Sequence, residues 1–185
     1  MKIEDIFWDL LELERERIWQ LSFALTGSYD EACDLASETF LAAYKSFPSL
    51  RDTTAFRKFL STITIRLHRR KRWRAKIFRP LQEAENSSYE MTRESSYDLD
   101  LLLSALTKLP ALQRETIVLF EISGLSQNEI QEIQGGSLSG VKSRLTRARE
   151  NLKRILIDEN LQKKVGQTPE LETRDIPNTI RIQIS

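Results

Sequence analysis

Three groups of side chains in this sequence have the types and spacing to act on another macromolecule. The first is near the C-terminal end. Ser126-Gln127-Asn128-Glu129 is a capping box that opens a short helix, Gly135-Gly136 turns the chain, and Ser137 or Ser139 caps a long basic helix. A short capped helix, a glycine turn and a basic second helix have the spacing of a helix-turn-helix. That motif lays the first turn of its second helix into the major groove of DNA. Lys142, Ser143, Thr146 and Arg147 would face the duplex, flanked by Arg144, Arg149 and Arg154. The unpaired N–H groups at the helix start attract phosphate as well. The plainer reading is a basic, solvated face on a helical hairpin.

The second group is residues 66–79, which hold eight basic side chains and no acid, with Trp73 among them. Each phosphate neutralised there would add about −0.9 to the log–log salt slope of binding. An exposed aromatic between arginines can stack on bases. The alternatives are a solvated charge run and a Trp73 that caps the end of a core. The third group is Asp34, Glu38 and Leu41, on the face of the second helix opposite its apolar stripe, where a basic or mixed partner could dock. Ordinary helix surface explains those three equally well. Cys33 reads as a small helix residue and His68, beside charged neighbours, as a surface polar residue. Neither has a second ligand or base nearby. No phosphate loop, catalytic triad or metal-ligand spacing occurs, so the sequence predicts neither an enzyme nor a bound cofactor or metal.

The elements that must position these groups follow from apolar period. Ile3, Ile6, Phe7, Leu10, Ile18, Leu21 and Leu25 recur at helical spacing and Gly27-Ser28 ends the run, with Ser28 or Asp30 capping the next helix. That second helix carries Ala32, Leu35, Ala36, Phe40, Ala43 and Phe47 on one face and stops at Pro48. A short loop through residue 54 leads to a third helix with an apolar stripe of Phe56, Phe59, Leu60, Ile63 and Leu67. Its last turns are expected to project as a basic spike. Residues 80–100 read as a flexible acidic linker. Helices resume at Leu101, over residues 111–122 with Pro110 at the first helical position, and over a final helix to about Leu156. Val141, Leu145, Ala148, Leu152 and Ile155 form that last helix's inward face. No strand is required, so the fold is predicted all-α, as two small helical domains. The polar tail over 158–185, with Ile180, Ile182 and Ile184 alternating, is expected to be disordered or regulatory.

The 185 residues carry a formal net charge of only +1, but in blocks of opposite sign. Residues 1–38 hold ten acids against three bases, and residues 51–79 eleven bases against Asp52. Residues 83–100 hold six acids against Arg93, and residues 137–154 six bases against Glu150. Two basic surfaces are therefore hidden in a neutral total. A single cysteine excludes an internal disulfide, and no apolar run approaches the roughly 20 residues that span a bilayer. The acidic start does not read as a secretory signal, which predicts a cytoplasmic protein.

This order of elements resembles bacterial RNA polymerase sigma factors, best the small two-domain extracytoplasmic-function (ECF) group. The resemblance is carried by DEACDLASETFL at 30–41, LPALQRE at 109–115, Gly124-Leu125-Ser126 with Glu129-Ile130, and VKSRLTRARENL at 141–152. It implies a first domain over 1–79 that binds core polymerase and the minus-ten element, a linker over 80–100, and a second domain over 101–157 that reads the minus-thirty-five element. Polymerase binding, on the beta-prime clamp, would fall to Asp34, Glu38, Phe40, Leu41 and Tyr44, and the beta flap is a further implied partner. The minus-ten site would comprise Phe47, Ser49, Leu50, Arg51 and Asp52 around a flipped base, with Arg57, Lys58, Arg66, Arg69 and Trp73 on the strand. The minus-thirty-five element would meet Ser137, Ser139, Lys142, Ser143, Arg144, Thr146 and Arg147. Promoter DNA and an anti-sigma factor are the other implied partners.

The chain departs from that family's pattern at several positions. The family favours Glu at Cys33, Gln at Ser37, Trp at Phe59, Asn at Arg66, a small Ala at Gln131, and Gly-Thr where this chain has Ser139-Gly140. Two other readings stand beside it. One is a helix-turn-helix regulator that binds a palindrome without polymerase. The other is a sigma-like decoy that binds polymerase or an anti-sigma factor without reading DNA.

Overall fold

Seven α-helices and two 3-10 turns make up residues 3–78 and 97–166, the part of the chain that the computed structural model describes, with no strand among them. In order they are α1 (Ile3–Thr26), α2 (Tyr29–Ser46), the 3-10 turns Phe47–Ser49 and Thr53–Ala55, α3 (Phe56–Phe78), α4 (Tyr97–Lys108), α5 (Ala111–Glu121), α6 (Gln127–Gln134) and α7 (Leu138–Gly166). The all-α architecture agrees with the period of the sequence. Of the linker expected over 80–100, residues 80–96 lie outside the described residues, as do residues 167–185 of the tail expected over 158–185.

Ser28 caps α2, its side chain accepting from the Glu31 amide, a contact that is typically worth about 1 kcal/mol. The α2 stripe is buried at Ala32, Leu35, Ala36 and Ala43, with Phe40 half-buried. Thr39 completes it. Its hydroxyl donates to the Leu35 carbonyl at 2.8 Å and meets Thr64 of α3 at 3.3 Å, so a buried polar atom is satisfied within the core. At one end Phe7 of α1 stands edge-on to four rings: Trp8 at 5.2 Å, Tyr44 at 5.3 Å, Phe47 at 5.2 Å and Phe56 at 5.8 Å. Edge-to-face pairs of this kind add about 0.5–1.5 kcal/mol each beyond area burial. They tie α1, α2, the loop and the start of α3 together.

Several boundaries and faces differ from the sequence expectation. The buried face of α3 runs through Phe56, Leu60, Ser61, Thr64, Ile65 and His68, while Phe59, Ile63 and Leu67 are only half-buried. His68 is thus a core-side residue, 6% exposed, and not a surface one. It stands four residues beyond Thr64 and eight beyond Leu60, which puts it on their face. Helix α4 opens at Tyr97, not at Leu101, and α7 continues to Gly166. Ile155 is the last α7 residue packed on the apolar cluster, but most of the residues that follow are adequate helix formers. Pro110 is the N-cap of α5, one residue before the expected position.

The second half folds α5, α6 and α7 around Val118, Leu119, Ile130, Val141, Leu145 and Ala148. Helices α4 and α5 pack directly on α1, so one continuous apolar cluster includes Leu21 and Leu25 with Leu106, Leu109 and Ile117. The two halves share a seam. At its centre Gly27, with φ of +72°, faces Thr107 of α4. A Cβ built at Gly27 would stand 2.6 Å from the Thr107 Cγ2, so glycine is required for both backbone sign and clearance.

Candidate nucleic-acid interface

The helix-turn-helix is built as its residue types dictate. Ser126 accepts from the Glu129 amide at 3.3 Å, and the Glu129 carboxylate accepts from the Ser126 amide at 2.8 Å and hydroxyl at 2.7 Å. Desolvation tends to raise the Glu129 pKa, but the Ser126 hydrogen bonds and the positive field of Lys58 and Arg57 bring it below its usual value. Gly135 ends α6 at φ +78° and Gly136 continues at +84°, conformations that let the chain reverse within two residues. Gln131, which replaces a small residue of the family pattern, donates to the Gly136 carbonyl at 3.1 Å and braces the turn. The Ser137 hydroxyl accepts from the Gly140 amide at 3.1 Å, which identifies Ser137 as the side chain that caps the start of α7.

Val141, Leu145 and Ala148 lock α7 onto the core. Ser137, Ser139, Lys142, Ser143, Thr146 and Arg147 are exposed together on its outer face. Arg144 differs from them. It is half-buried, and its Nε and Nη2 lack a hydrogen-bond partner among the described residues. Arg149 is committed elsewhere, with its guanidinium 2.7 Å from Glu121 and 5.2 Å over the Phe120 ring.

The other candidate DNA face divides into open and covered parts. Ser49, Arg51 and Asp52 are exposed in the loop, and Leu50 is half-buried. The Asp52 carboxylate accepts from the Thr54 hydroxyl at 2.6 Å and amide at 2.9 Å, and these bonds hold it below its usual pKa. Phe47 is buried against Phe7 and Phe56, so it supports the loop from below. Arg66 is exposed and Trp73 is 64% exposed, an aromatic in a basic surround as the spacing predicted. Arg57, Lys58 and Arg69 are instead held in ion pairs. Arg57 meets Glu14 of α1 at 3.1 Å, Lys58 bonds Glu132 of α6, and Arg69 bonds Glu115 of α5. A cleft of about 380 Å³ lies where Thr53, Thr54, Arg57 and Lys58 face Leu125 and Glu129. Its acidic lining is Glu14 and Glu129; nothing local in the sequence marks Glu14, Glu115 or Glu132 as partners of these basic side chains.

On α2, Asp34 and Leu41 are exposed, and Phe40 packs half-buried against the core. Glu38 is paired with Lys71 at 2.8 Å and stands 3.9 Å from Arg70, so part of its charge is already answered by the basic helix. Tyr44 donates to Glu4 at 3.3 Å and stacks on Trp8 at 5.9 Å. Trp8 is 58% exposed and Leu41 56% exposed. The stack thus places Trp8 of α1 beside Tyr44, next to the α2 residues expected to meet polymerase. In the sequence Trp8 follows Phe7 off the helical apolar period, and only the fold pairs it with Tyr44.

His68 sits at the seam with an unpaired Nδ1. Burial, and then the charges of Arg72, Arg114, Arg69 and Lys71, push its pKa down to about 4. Arg114 donates to the Leu25 carbonyl at 2.9 Å and to the Thr107 carbonyl. Burial, followed by its neighbour Arg72, lowers its pKa to about 10. Among the described residues no cluster of His, Cys, Asp and Glu is placed to hold a metal ion. No helix there is long and apolar enough to cross a membrane.

Known protein families match both halves of the chain. The Sigma-70 region 2 family model matches residues 10–75, and the Sigma-70 region 4 model matches residues 99–152. The chain is 31% identical over 159 residues to the ECF RNA polymerase sigma factor SigE of Mycolicibacterium smegmatis; the match covers 80% of this chain and 61% of that protein. It is 33% identical over 144 residues to the ECF RNA polymerase sigma factor EcfG of Rhodopseudomonas palustris, covering 73% of this chain and 76% of that one. Among solved structures, the sigma factor RpoE in complex with the anti-sigma factor NepR from Bartonella quintana superposes with a TM-score of 0.68 at 26% identity. That superposition covers 81% of this chain and 96% of the other.

Proposed function

This chain belongs to the sigma-70 family of RNA polymerase sigma factors, in its ECF group, whose members direct promoter-specific transcription, and from that premise we propose how its residues divide the work. The first domain, over residues 1–79, binds the beta-prime clamp of core polymerase through Asp34, Glu38, Phe40, Leu41 and Tyr44. The same domain captures the minus-ten element. Ser49, Leu50, Arg51 and Asp52 form the rim of a pocket for an extruded base, and Arg57, Lys58, Arg66, Arg69 and Trp73 hold the strand. Extrusion costs a few kcal/mol, which cationic and stacking contacts offset. The second domain, over residues 101–157, lies by the beta flap and reads the minus-thirty-five element through Ser137, Ser139, Lys142, Ser143, Thr146 and Arg147. The chain performs no covalent chemistry itself and works in the cytoplasm with polymerase on the nucleoid. An anti-sigma factor, as in the RpoE–NepR complex, is a further partner.

One observation carries this reading. The outer face of α7 presents Ser139, Lys142, Ser143, Thr146 and Arg147 in a single exposed row, while Val141, Leu145 and Ala148 fix the helix in a capped helix-turn-helix. Fixed polar side chains at the start of a helix are what readout of major-groove base edges requires. The test is run-off transcription with core polymerase and genomic fragments. Transcripts should start from fixed points downstream of an asymmetric, bipartite site. A complex with core polymerase that never gives promoter-specific transcripts overturns the reading, and tight palindrome binding without polymerase would favour a plain regulator.

A further inference from the structure

A second cavity, of about 310 Å³, opens where the end of α1 meets α2, α3 and α5. That volume lies at the lower end of the range for small-molecule sites, about 300–1,000 Å³. His68, Lys71 and Arg72 line it from α3, Arg114 from α5, and Glu31 and Asp34 from α2. Two buried nitrogens of these residues, His68 Nδ1 and Arg114 Nε, have no hydrogen-bond partner among the described residues. Buried polar atoms are nearly always paired, so two orphans beside one cavity call for a guest that supplies the partner. The charge there is also unanswered. Lys71 is met by Glu38 at 2.8 Å and Arg69 by Glu115, but Arg72 is exposed and meets no carboxylate among the described residues. Arg114 spends two nitrogens on the Leu25 and Thr107 carbonyls, which carry no net charge. Glu31 and Asp34 are exposed to water, and neither acts on His68, where every charge that is felt is positive.

We propose that this cavity is a binding site for a small phosphate-bearing anion, whose charge is answered by Arg72 and Arg114 and whose oxygens accept from His68 and Arg114. The chemistry of the lining selects that class. A neutral imidazole can carry its proton on Nδ1, so both orphaned nitrogens are donors, and an oxyanion presents only acceptors. Water would pair the two nitrogens but leave the guanidinium charges uncompensated. A terminal phosphate brings about −1.5 to −2 charge and three acceptor oxygens, enough to meet two guanidiniums and an imidazole together. A guanidinium also matches phosphate geometry better than an ammonium does. Arg72, Arg114 and His68 belong to neither the promoter faces nor the polymerase face assigned above. The site is therefore an activity beyond promoter recognition: the free chain senses a soluble phosphorylated compound.

The chain has a single histidine, so the His68 imidazole is an unambiguous NMR reporter. The full chain is titrated at pH 7 with inorganic phosphate and, separately, with a nucleoside diphosphate, at an ionic strength held constant with sodium chloride. The His68 signals should move saturably with at least one of them, and the melting temperature should rise in step. Saturation by phosphate identifies the free ion as a ligand, and saturation by the diphosphate alone identifies a nucleotide. Arg72→Gln should weaken that binding at least tenfold. Arg74→Gln removes an equal charge from an exposed position of α3 outside the cavity and should change it less than twofold. Both variants should melt like the parent chain without ligand. His68 signals that stay put with both ligands overturn the proposal, and they do so on the unaltered chain, whether or not a variant folds. Equal losses from Arg72→Gln and Arg74→Gln also overturn it, since binding would then come from the general charge of α3.

Discussion

Arg69 of α3 grips Glu115 of α5 with two nitrogens, Nε 3.1 Å from both carboxylate oxygens and Nη2 2.5 Å from one. The pair is lopsided: the Arg69 side chain is 39% exposed and that of Glu115 only 4%. The bonds and charge of Glu115 hold the Arg69 pKa above its usual value. Removing one partner should therefore cost more than removing the other. Arg69→Ala strands a buried carboxylate, a lesion worth about 3–5 kcal/mol. Glu115→Gln leaves a guanidinium that water can reach, at about 1.5–3 kcal/mol for lost charge-assisted bonds. Urea unfolding of both variants gives the ranking, and a larger loss for Glu115→Gln would contradict this account.

His68 predicts a dependence of stability on acid. Its pKa is about 4 in the folded chain against 6.5 for the free side chain, so the unfolded chain binds the extra proton first. Stability is therefore intact above about pH 6.5 and is lost progressively as the pH falls from there towards 4. From pH 7 to pH 5 the loss should be about 2 kcal/mol. His68→Gln should flatten that part of the stability profile, measured by thermal or urea unfolding at each pH. A variant with the same slope as the parent would show that His68 is not its source.

Two arginines only two residues apart on α7 should behave oppositely. Arg147 is exposed on the outer row, and Arg149 is spent on Glu121 and Phe120. Arg147→Glu should reduce promoter-directed transcription more than tenfold, by replacing a phosphate or base contact with repulsion, while the melting temperature stays within a degree or two. Arg149→Ala should cost up to about 1 kcal/mol of stability, as expected for an exposed pair with a cation–π contact, and spare most transcription. Paired run-off and melting measurements separate the two roles.

The stack of Trp8 on Tyr44 should matter to polymerase more than to folding. Trp8→Ala leaves Phe7 in place beneath it and should weaken binding to core polymerase about tenfold, the loss typical of an exposed aromatic anchor. Fluorescence anisotropy with labelled chain and core enzyme reads this directly. Unaltered affinity would confine the polymerase face to α2.

Much of this molecule is legible along the chain. Ser28, the Ser126–Glu129 box and Gly135-Gly136 announce where helices start and turn, because capping and reversal use local chemistry. The outer row of α7 is equally readable, since Val141, Leu145 and Ala148 fix which side faces in. The seam was not. Lys58 and Glu132 are 74 residues apart, and Arg69 and Glu115 are 46 apart. Helical period says which face is apolar but not which distant element covers the polar one. His68 was misread for a related reason: its neighbours in sequence are charged, whereas its neighbours on the helix face, Thr64 and Leu60, are buried. Polar residues in a core-facing position carry no hydropathy signal at all.

The four rings around Phe7 give the first half a mechanical property. Tyr44 belongs to the face assigned to polymerase, Phe47 lies beneath the loop assigned to the extruded base, and Phe56 starts the basic helix. Each meets the same ring edge-on. Close-packed aromatic rings have few alternative arrangements, so a displacement of one must be taken up by the others. Phe7 is therefore a contact common to three elements. Tyr44 and the floor of the loop are thus joined through one shared side chain, so a substitution at Phe7 removes packing from both at once.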